Sequence, residues 1–134
     1  EDVVIGNKFS AKAEINFSSV YKIPSGWQGL DAGSKSIKTF SQIIQKSNTI
    51  LWNGPIGVFE LEPFSKGTKI LAEEIVKRTE RGAFSLVGGG DSVSAVKKFG
   101  LSHGFSYIST GGGAMLEYLE GKKLPGILAL MREK

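Results

Sequence analysis

Cysteine is absent from the chain, and His103 is the single histidine. Disulfide frameworks and thiolate metal sites are therefore excluded, and one imidazole without a second cannot build a zinc cluster. Long apolar runs are missing too: the longest extend over a few residues, far short of the ~20 that cross a bilayer. The first residues, Glu1-Asp2-Val3-Val4, carry neither the basic nor the apolar stretch of a secretory signal, so a cytoplasmic setting is expected. The net charge of +4 suits an anionic ligand, but basic pairs such as Lys97-Lys98 and Lys122-Lys123 fit solvated helix faces equally well. Basic residues interleaved with stacking aromatics are lacking, so neither nucleic acid nor membrane is an expected partner.

Glycine is what the sequence has in excess. Its 18 residues are about twice the usual ~7%, with no collagen-like period, so each asks for a local reason. A 40% hydrophobic and 22% charged composition is that of a soluble globular chain, and 134 residues suffice for one compact domain. No repeat, low-complexity tract or linker interrupts it, so residues 1–134 are expected to form a single segment without an internal boundary.

Val3-Val4-Ile5 predicts a short strand, and residues 14–21 an irregular extended segment running to Pro24. Ser25-Gly26-Trp27-Gln28-Gly29 carries turn chemistry around an aromatic expected to be buried. From residue 34 the pattern is regular: Ile37, Phe40 and Ile44 recur at helical spacing and predict a helix over Ser34 to Lys46. Thr49-Ile50-Leu51-Trp52 predicts a strand stopped at Asn53-Gly54-Pro55, and Ile70, Leu71, Ile75 and Val76 mark a second helix closing near Gly82. Phe84 to Val87 is the next strand, followed by a short helix capped by Asp91 and ending at Gly100. Tyr107-Ile108 and a helix through Met115, Leu116 and Leu119 complete the alternation. Such alternation predicts the α/β class, with right-handed crossovers over a parallel sheet whose ligands bind beyond the carboxyl ends of the strands.

At those ends stand three glycine-bearing turns: Asn53 to Glu60, Gly88-Gly89-Gly90-Asp91-Ser92, and Ser109-Thr110-Gly111-Gly112-Gly113-Ala114. Each alone fits a tight turn. Three at consecutive strand ends favour a polyphosphate, because glycine admits close backbone approach and the following helix offers free N–H groups and a partial positive charge. Asp91 fits a helix cap, or a ligand of Mg²⁺ beside phosphate oxygens; metal ligation is the stronger reading where a phosphate is bound. Ser92 could hold a phosphate oxygen or support the cap, and Glu60 could accept from ribose hydroxyls or be an ordinary exposed acid. No G-x-x-x-x-G-K-[ST] and no G-x-G-x-x-G occurs, and His103 has no nucleophile partner at a telling spacing.

The strings Gly26-Trp27-Gln28-Gly29-Leu30-Asp31, Leu51-Trp52-Asn53-Gly54-Pro55-Ile56-Gly57-Val58-Phe59-Glu60, Gly88-Gly89-Gly90-Asp91-Ser92 and Ser109-Thr110-Gly111-Gly112-Gly113-Ala114, in this order, resemble phosphoglycerate kinase. So do Leu116-Glu117-Tyr118-Leu119-Glu120-Gly121 and Leu124-Pro125-Gly126-Ile127. The resemblance runs from Val3 through the chain but covers only about the last third of the family's length, the second half of its nucleotide-binding domain. It implies part of a three-layer, Rossmann-like parallel sheet with helices on both faces. It also implies that Gly29, Leu30, Pro55 and Val58 line an adenine pocket, that Glu60 holds the ribose, and that Asn53, Gly89, Gly90 and Ser92 face the phosphates. Asp91 would ligate Mg²⁺, and the amides of Gly111, Gly112 and Gly113 would hold the phosphoryl group in transfer.

The implied reaction is reversible phosphoryl transfer between 1,3-bisphosphoglycerate and Mg-ADP, giving 3-phosphoglycerate and Mg-ATP, in a cytoplasmic, monomeric parent enzyme. This sequence departs from the family after Asp31, where Ala32-Gly33-Ser34-Lys35 stands in place of a Gly-Pro-acidic run. The family's phosphoglycerate-binding domain and the lysines of its early nucleotide domain have no counterpart here. The chain alone is therefore expected to be inactive, and a non-catalytic nucleotide-binding module is the alternative.

Overall fold

The computed structural model describes residues 1–131. Its first element, β1 (Asp2–Gly6), is built on Val3-Val4-Ile5, whose branched side chains suit an extended backbone. It pairs antiparallel with β2 (Ile15–Ser19), Val4 opposite Phe17, and on its other side with β3 (Gln28–Ala32), Val3 opposite Ala32. The resulting sheet has the order β2-β1-β3. Sequence pattern anticipated only irregular extension and a turn in these stretches. Gln28-Gly29-Leu30-Asp31-Ala32 has weak strand preference of its own and becomes a strand because β1 supplies its ladder. Trp27, expected to be buried, is only half-buried.

Helix α1 (Ser34–Lys46) has the predicted limits and turns Ile44 into the core. No side chain of its own first turn caps it. Instead Asp2, on β1, reaches across: Oδ1 accepts from the Ser36 N–H at 2.8 Å and Oδ2 from the Lys35 N–H at 3.2 Å. Burial pushes the Asp2 carboxyl up, but the N–H groups of Ser36 and Lys35 outweigh it and hold the group below its ordinary value. The departure from the family pattern at Gly33-Ser34-Lys35 thus leaves an ordinary helix start.

The second sheet is parallel, in the order β4 (Thr49–Asn53), β5 (Phe84–Gly88), β6 (Tyr107–Ile108). Helix α2 (Lys66–Glu80) connects β4 to β5, and α3 (Gly90–Lys98) connects β5 to β6. The chain is therefore an α/β protein with a three-stranded parallel sheet flanked by helices, preceded by an antiparallel one. Alternation along the strands turns Trp52 and Val87 toward Ala72, Ile75, Val76, Val96 and Phe105, and Trp52 stacks on Phe105 at 6.0 Å between centroids. The opposite face presents Leu51, Phe84 and Tyr107, each roughly half exposed or more. Helix α4 (Gly112–Leu119) begins over that face, where Met115 occupies the space that a side chain at Gly88 would need. Helix α5 (Pro125–Met131) follows.

One expected cap is corrected. The N-cap of α3 is Gly89, at φ 85° and ψ 136°, and Asp91 lies inside the first turn, making no capping bond. The sharp exit from β5 demands a backbone that only glycine adopts readily, so the cap position goes to Gly89 and the carboxylate stands next to the positive helix end.

Candidate functional site

The three glycine-bearing turns meet at the carboxyl ends of the parallel strands. Asn53, the last residue of β4, lies so close to Gly89 that a Cβ there would overlap its Oδ1. The Gly54 N–H donates to Ser92 Oγ at 2.6 Å, which ties the β4 turn to α3. A Cβ on Gly112 would press on the backbone of Gly89, so the turn before α4 packs directly on the turn before α3. Among helical bonds, those from Val93 to Gly89 and from Met115 to Gly111 are the first to close, at 3.0 and 2.8 Å. The N–H groups before them have no acceptor within their helices, and the two positive ends adjoin. Gly90, Asp91, Gly111 and Gly113 are exposed at this junction, and nothing approaches the open sides of the three glycines.

Ser92 is wholly buried, with its hydroxyl engaged by Gly54. Its hydroxyl thereby ties the β4 turn to the first turn of α3. Asp91 is the carboxylate at the junction. Among the described residues no cluster of three or more His, Asp or Glu side chains could enclose a metal. A single exposed carboxylate next to free helix N–H groups fits a hard cation that takes its other ligands from phosphate oxygens and water, as Mg²⁺ does.

Gly29, Leu30, Ile56 and Val58 line a cleft of about 360 Å³ together with Val3, Phe40 and the acidic residues Glu1 and Asp2. Pro55 and Glu60, also expected at the adenosine end, stand outside this lining, Pro55 half-buried and Glu60 exposed. The loop that carries them is held on several sides. The Val58 N–H donates to the Leu30 carbonyl at 2.9 Å, the Gly57 N–H to Thr68 Oγ1 at 3.1 Å, and the Trp52 indole N–H to the Gly54 carbonyl at 2.7 Å. Lys98 Nζ donates to the carbonyls of Phe59 and Glu60 at 2.8 and 3.3 Å and lies 5.8 Å from the Phe59 ring centroid. Under the loop sits Asp31, 4% exposed, accepting from the Ala32 and Gly67 N–H groups at 2.8 and 2.7 Å. Burial pushes its carboxyl above the ordinary value despite those two donors.

Sequence reasoning missed Lys98, Thr68 and the part played by Asp31. Lys98 looks like a solvated helix face, and its partners lie 38 and 39 residues away. No spacing rule could have joined them.

Parallel strands that end in glycine turns against two helix N-termini define a Rossmann-like α/β fold whose free helix N–H groups gather at the carboxyl end of the sheet. The family model described as phosphoglycerate kinase matches residues 1–122. The phosphoglycerate kinase of Rhodococcus opacus (strain B4) is 57% identical over 131 residues, 97% of this chain and 32% of that protein. The cytosolic phosphoglycerate kinase of Triticum aestivum is 53% identical over 129 residues, 96% of this chain and 32% of that protein. Among solved structures, the phosphoglycerate kinase of Coxiella burnetii superposes with a TM-score of 0.87 at 44% identity, covering 94% of this chain and 32% of that one. That of Pyrococcus horikoshii OT3 gives 0.80 at 34% identity, with 97% and 31% covered. The chain belongs to the phosphoglycerate kinase family, and it spans about a third of the length of the relatives it matches.

Proposed function

We propose that this chain is the part of a phosphoglycerate kinase that cradles the nucleotide, and that in a full-length protein it takes part in reversible phosphoryl transfer from 1,3-bisphosphoglycerate to ADP. The observation that carries this reading is the meeting of the three glycine turns, with the N-termini of α3 and α4 side by side and open. An oxygen of the ADP β-phosphate attacks the acyl phosphorus, the P–O bond to the acyl oxygen breaks, and a carboxylate leaves. No covalent step on the protein is required, so catalysis rests on positioning and on donors aimed at the transferring group.

In this reading the N–H groups of Gly111, Gly112 and Gly113 hold the phosphoryl oxygens, and those around Gly89 and Gly90 hold the nucleotide phosphates. Asn53 faces the same phosphates, and Ser92 serves by fixing Gly54. The adenine lies against Gly29, Leu30, Pro55 and Val58, and Glu60 accepts from the ribose hydroxyls. Asp91 is the residue that holds Mg²⁺, which when bound neutralises phosphate charge. The acyl-phosphate side of the reaction belongs to the two thirds of the relatives' length outside this alignment, so the 134-residue chain by itself turns over no substrate.

Amide chemical-shift mapping with Mg-ADP tests the cradle directly. The expected shifts fall on residues 29–30, 53–60, 88–92 and 110–114. Shifts confined to other surfaces, or none at millimolar nucleotide, would remove the reading.

A further inference from the structure

We propose that Asp31 is a positioning residue for the cleft wall: its carboxylate closes a ring of hydrogen bonds that fixes Ile56 and Val58 against β3. The ring has three hydrogen bonds and three chain steps. From Leu30 the carbonyl accepts the Val58 N–H at 2.9 Å, and the adjacent Gly57 N–H donates to Thr68 Oγ1 at 3.1 Å. The neighbour of Thr68, Gly67, donates its N–H to Asp31 Oδ2 at 2.7 Å, and Asp31 follows Leu30 in the chain. Strand, loop and helix are thereby locked to one another at a single buried point.

Three further features agree. Helix α2 has no side-chain cap from Ser65, so the first-turn N–H of Gly67 would be left without an acceptor if Asp31 did not reach across from β3. A Cβ at Gly57 or at Gly67 would overlap Asp31 Oδ1, so both backbones close on the carboxylate only because neither residue has a side chain. Asp31 and Thr68 are almost entirely buried, where a donor or acceptor without a partner is costly. Of the three glycine-bearing turns, the ring takes in only the later part of the β4 turn, at Gly57 and Val58. It acts on the adenine side, through the placement of Leu30, Ile56 and Val58.

The inference rests on the nucleotide reading above for its consequence, but not for its geometry, and one set of variants separates the two. In Asp31→Asn one acceptor oxygen becomes a donor facing other donors. In Thr68→Val the shape is kept and the acceptor for Gly57 is lost, which breaks the same ring if the first variant does not fold. Amide hydrogen exchange at Gly57, Val58 and Gly67 should accelerate about tenfold or more in either variant. Exchange at Ser36, held by Asp2, should stay at the wild-type rate, and Thr68→Ser should restore the wild-type pattern. ADP affinity should fall about tenfold, in parallel with the exchange at Val58.

Exchange that accelerates evenly over the whole chain, or stays unchanged at those three amides, overturns the ring. Exchange that changes as expected while ADP affinity stays at the wild-type value overturns the positioning role. If the wild-type chain itself binds no ADP, the nucleotide reading fails, and the exchange pattern still decides whether Asp31 closes the ring.

Discussion

Two adjacent glycines, Gly89 and Gly90, should respond to alanine in opposite ways. Gly89 sits at φ 85° and ψ 136°, and an added Cβ would overlap Asn53 Oδ1. Holding a side-chain-bearing residue in such a region costs about 1–3 kcal/mol. Turning Asn53 away adds about 0.5–1.5 kcal/mol if its side chain must leave a staggered rotamer. Against this, alanine lowers the entropy of the unfolded chain, which returns about 0.4–1 kcal/mol. The net expectation for Gly89→Ala is a loss of about 0.5–4 kcal/mol. Gly90 has negative φ, begins α3 and has open space where a Cβ would go, so Gly90→Ala should be neutral or stabilising by up to about 1 kcal/mol. Urea unfolding of both variants, with equal m-values, reads the difference. Agreement of the two within about 0.5 kcal/mol would refute the claim that the β5 turn is shaped by its contact with Asn53.

Four further outcomes follow from the same geometry. Glu60→Ala should weaken ADP binding at least tenfold by calorimetry, since each charge-assisted bond to a ribose hydroxyl is worth about 1.5–3 kcal/mol. Asp91→Asn should raise the Mg²⁺ concentration needed for nucleotide binding while leaving the unfolding midpoint within about 1 kcal/mol of wild type, because Asp91 caps nothing. Gly112→Ala should force the α4 turn off the backbone of Gly89 and, in a full-length protein, lower kcat more than it raises KM, whereas Gly113→Ala, with open space, should fold as wild type. Asp2 and Asp31 should pull the acid limb of stability in opposite senses. The depressed Asp2 contributes stability above its unfolded pKa and loses it as pH falls through its lowered folded value, so Asp2→Asn should flatten that loss in urea melts. The raised Asp31 favours the protonated fold, so its share of stability falls as pH rises from the ordinary carboxylate range through its raised value.

What could be read from sequence was whatever local chemistry decides. The stripe Ile37, Phe40, Ile44 gives α1 its limits, and the glycine clusters mark the strand ends, where positive φ at Gly54 and Gly89 and close contacts at Gly88, Gly89 and Gly112 disfavour a side chain. What could not be read is set by partners far along the chain. Strand β3 exists because β1 lies beside it, α1 and α2 are capped by aspartates 33 to 36 residues away, and Lys98 reaches a loop 38 residues back. The error at Asp91 has a different origin. An acidic residue after three glycines has the composition of a cap, but an exit from a strand at φ 85° leaves the cap position to glycine.

The most direct test of the nucleotide reading is a chimera in which this chain replaces the aligned third of the Rhodococcus opacus relative, joined over the 131 matched residues. In a coupled assay the chimera should form ATP from ADP and 1,3-bisphosphoglycerate, the 134-residue chain alone should form none, and Asp91→Asn in the chimera should reduce turnover sharply at ordinary Mg²⁺. A folded chimera that binds the acyl phosphate but makes no ATP, or a chain that turns over unaided, would contradict it.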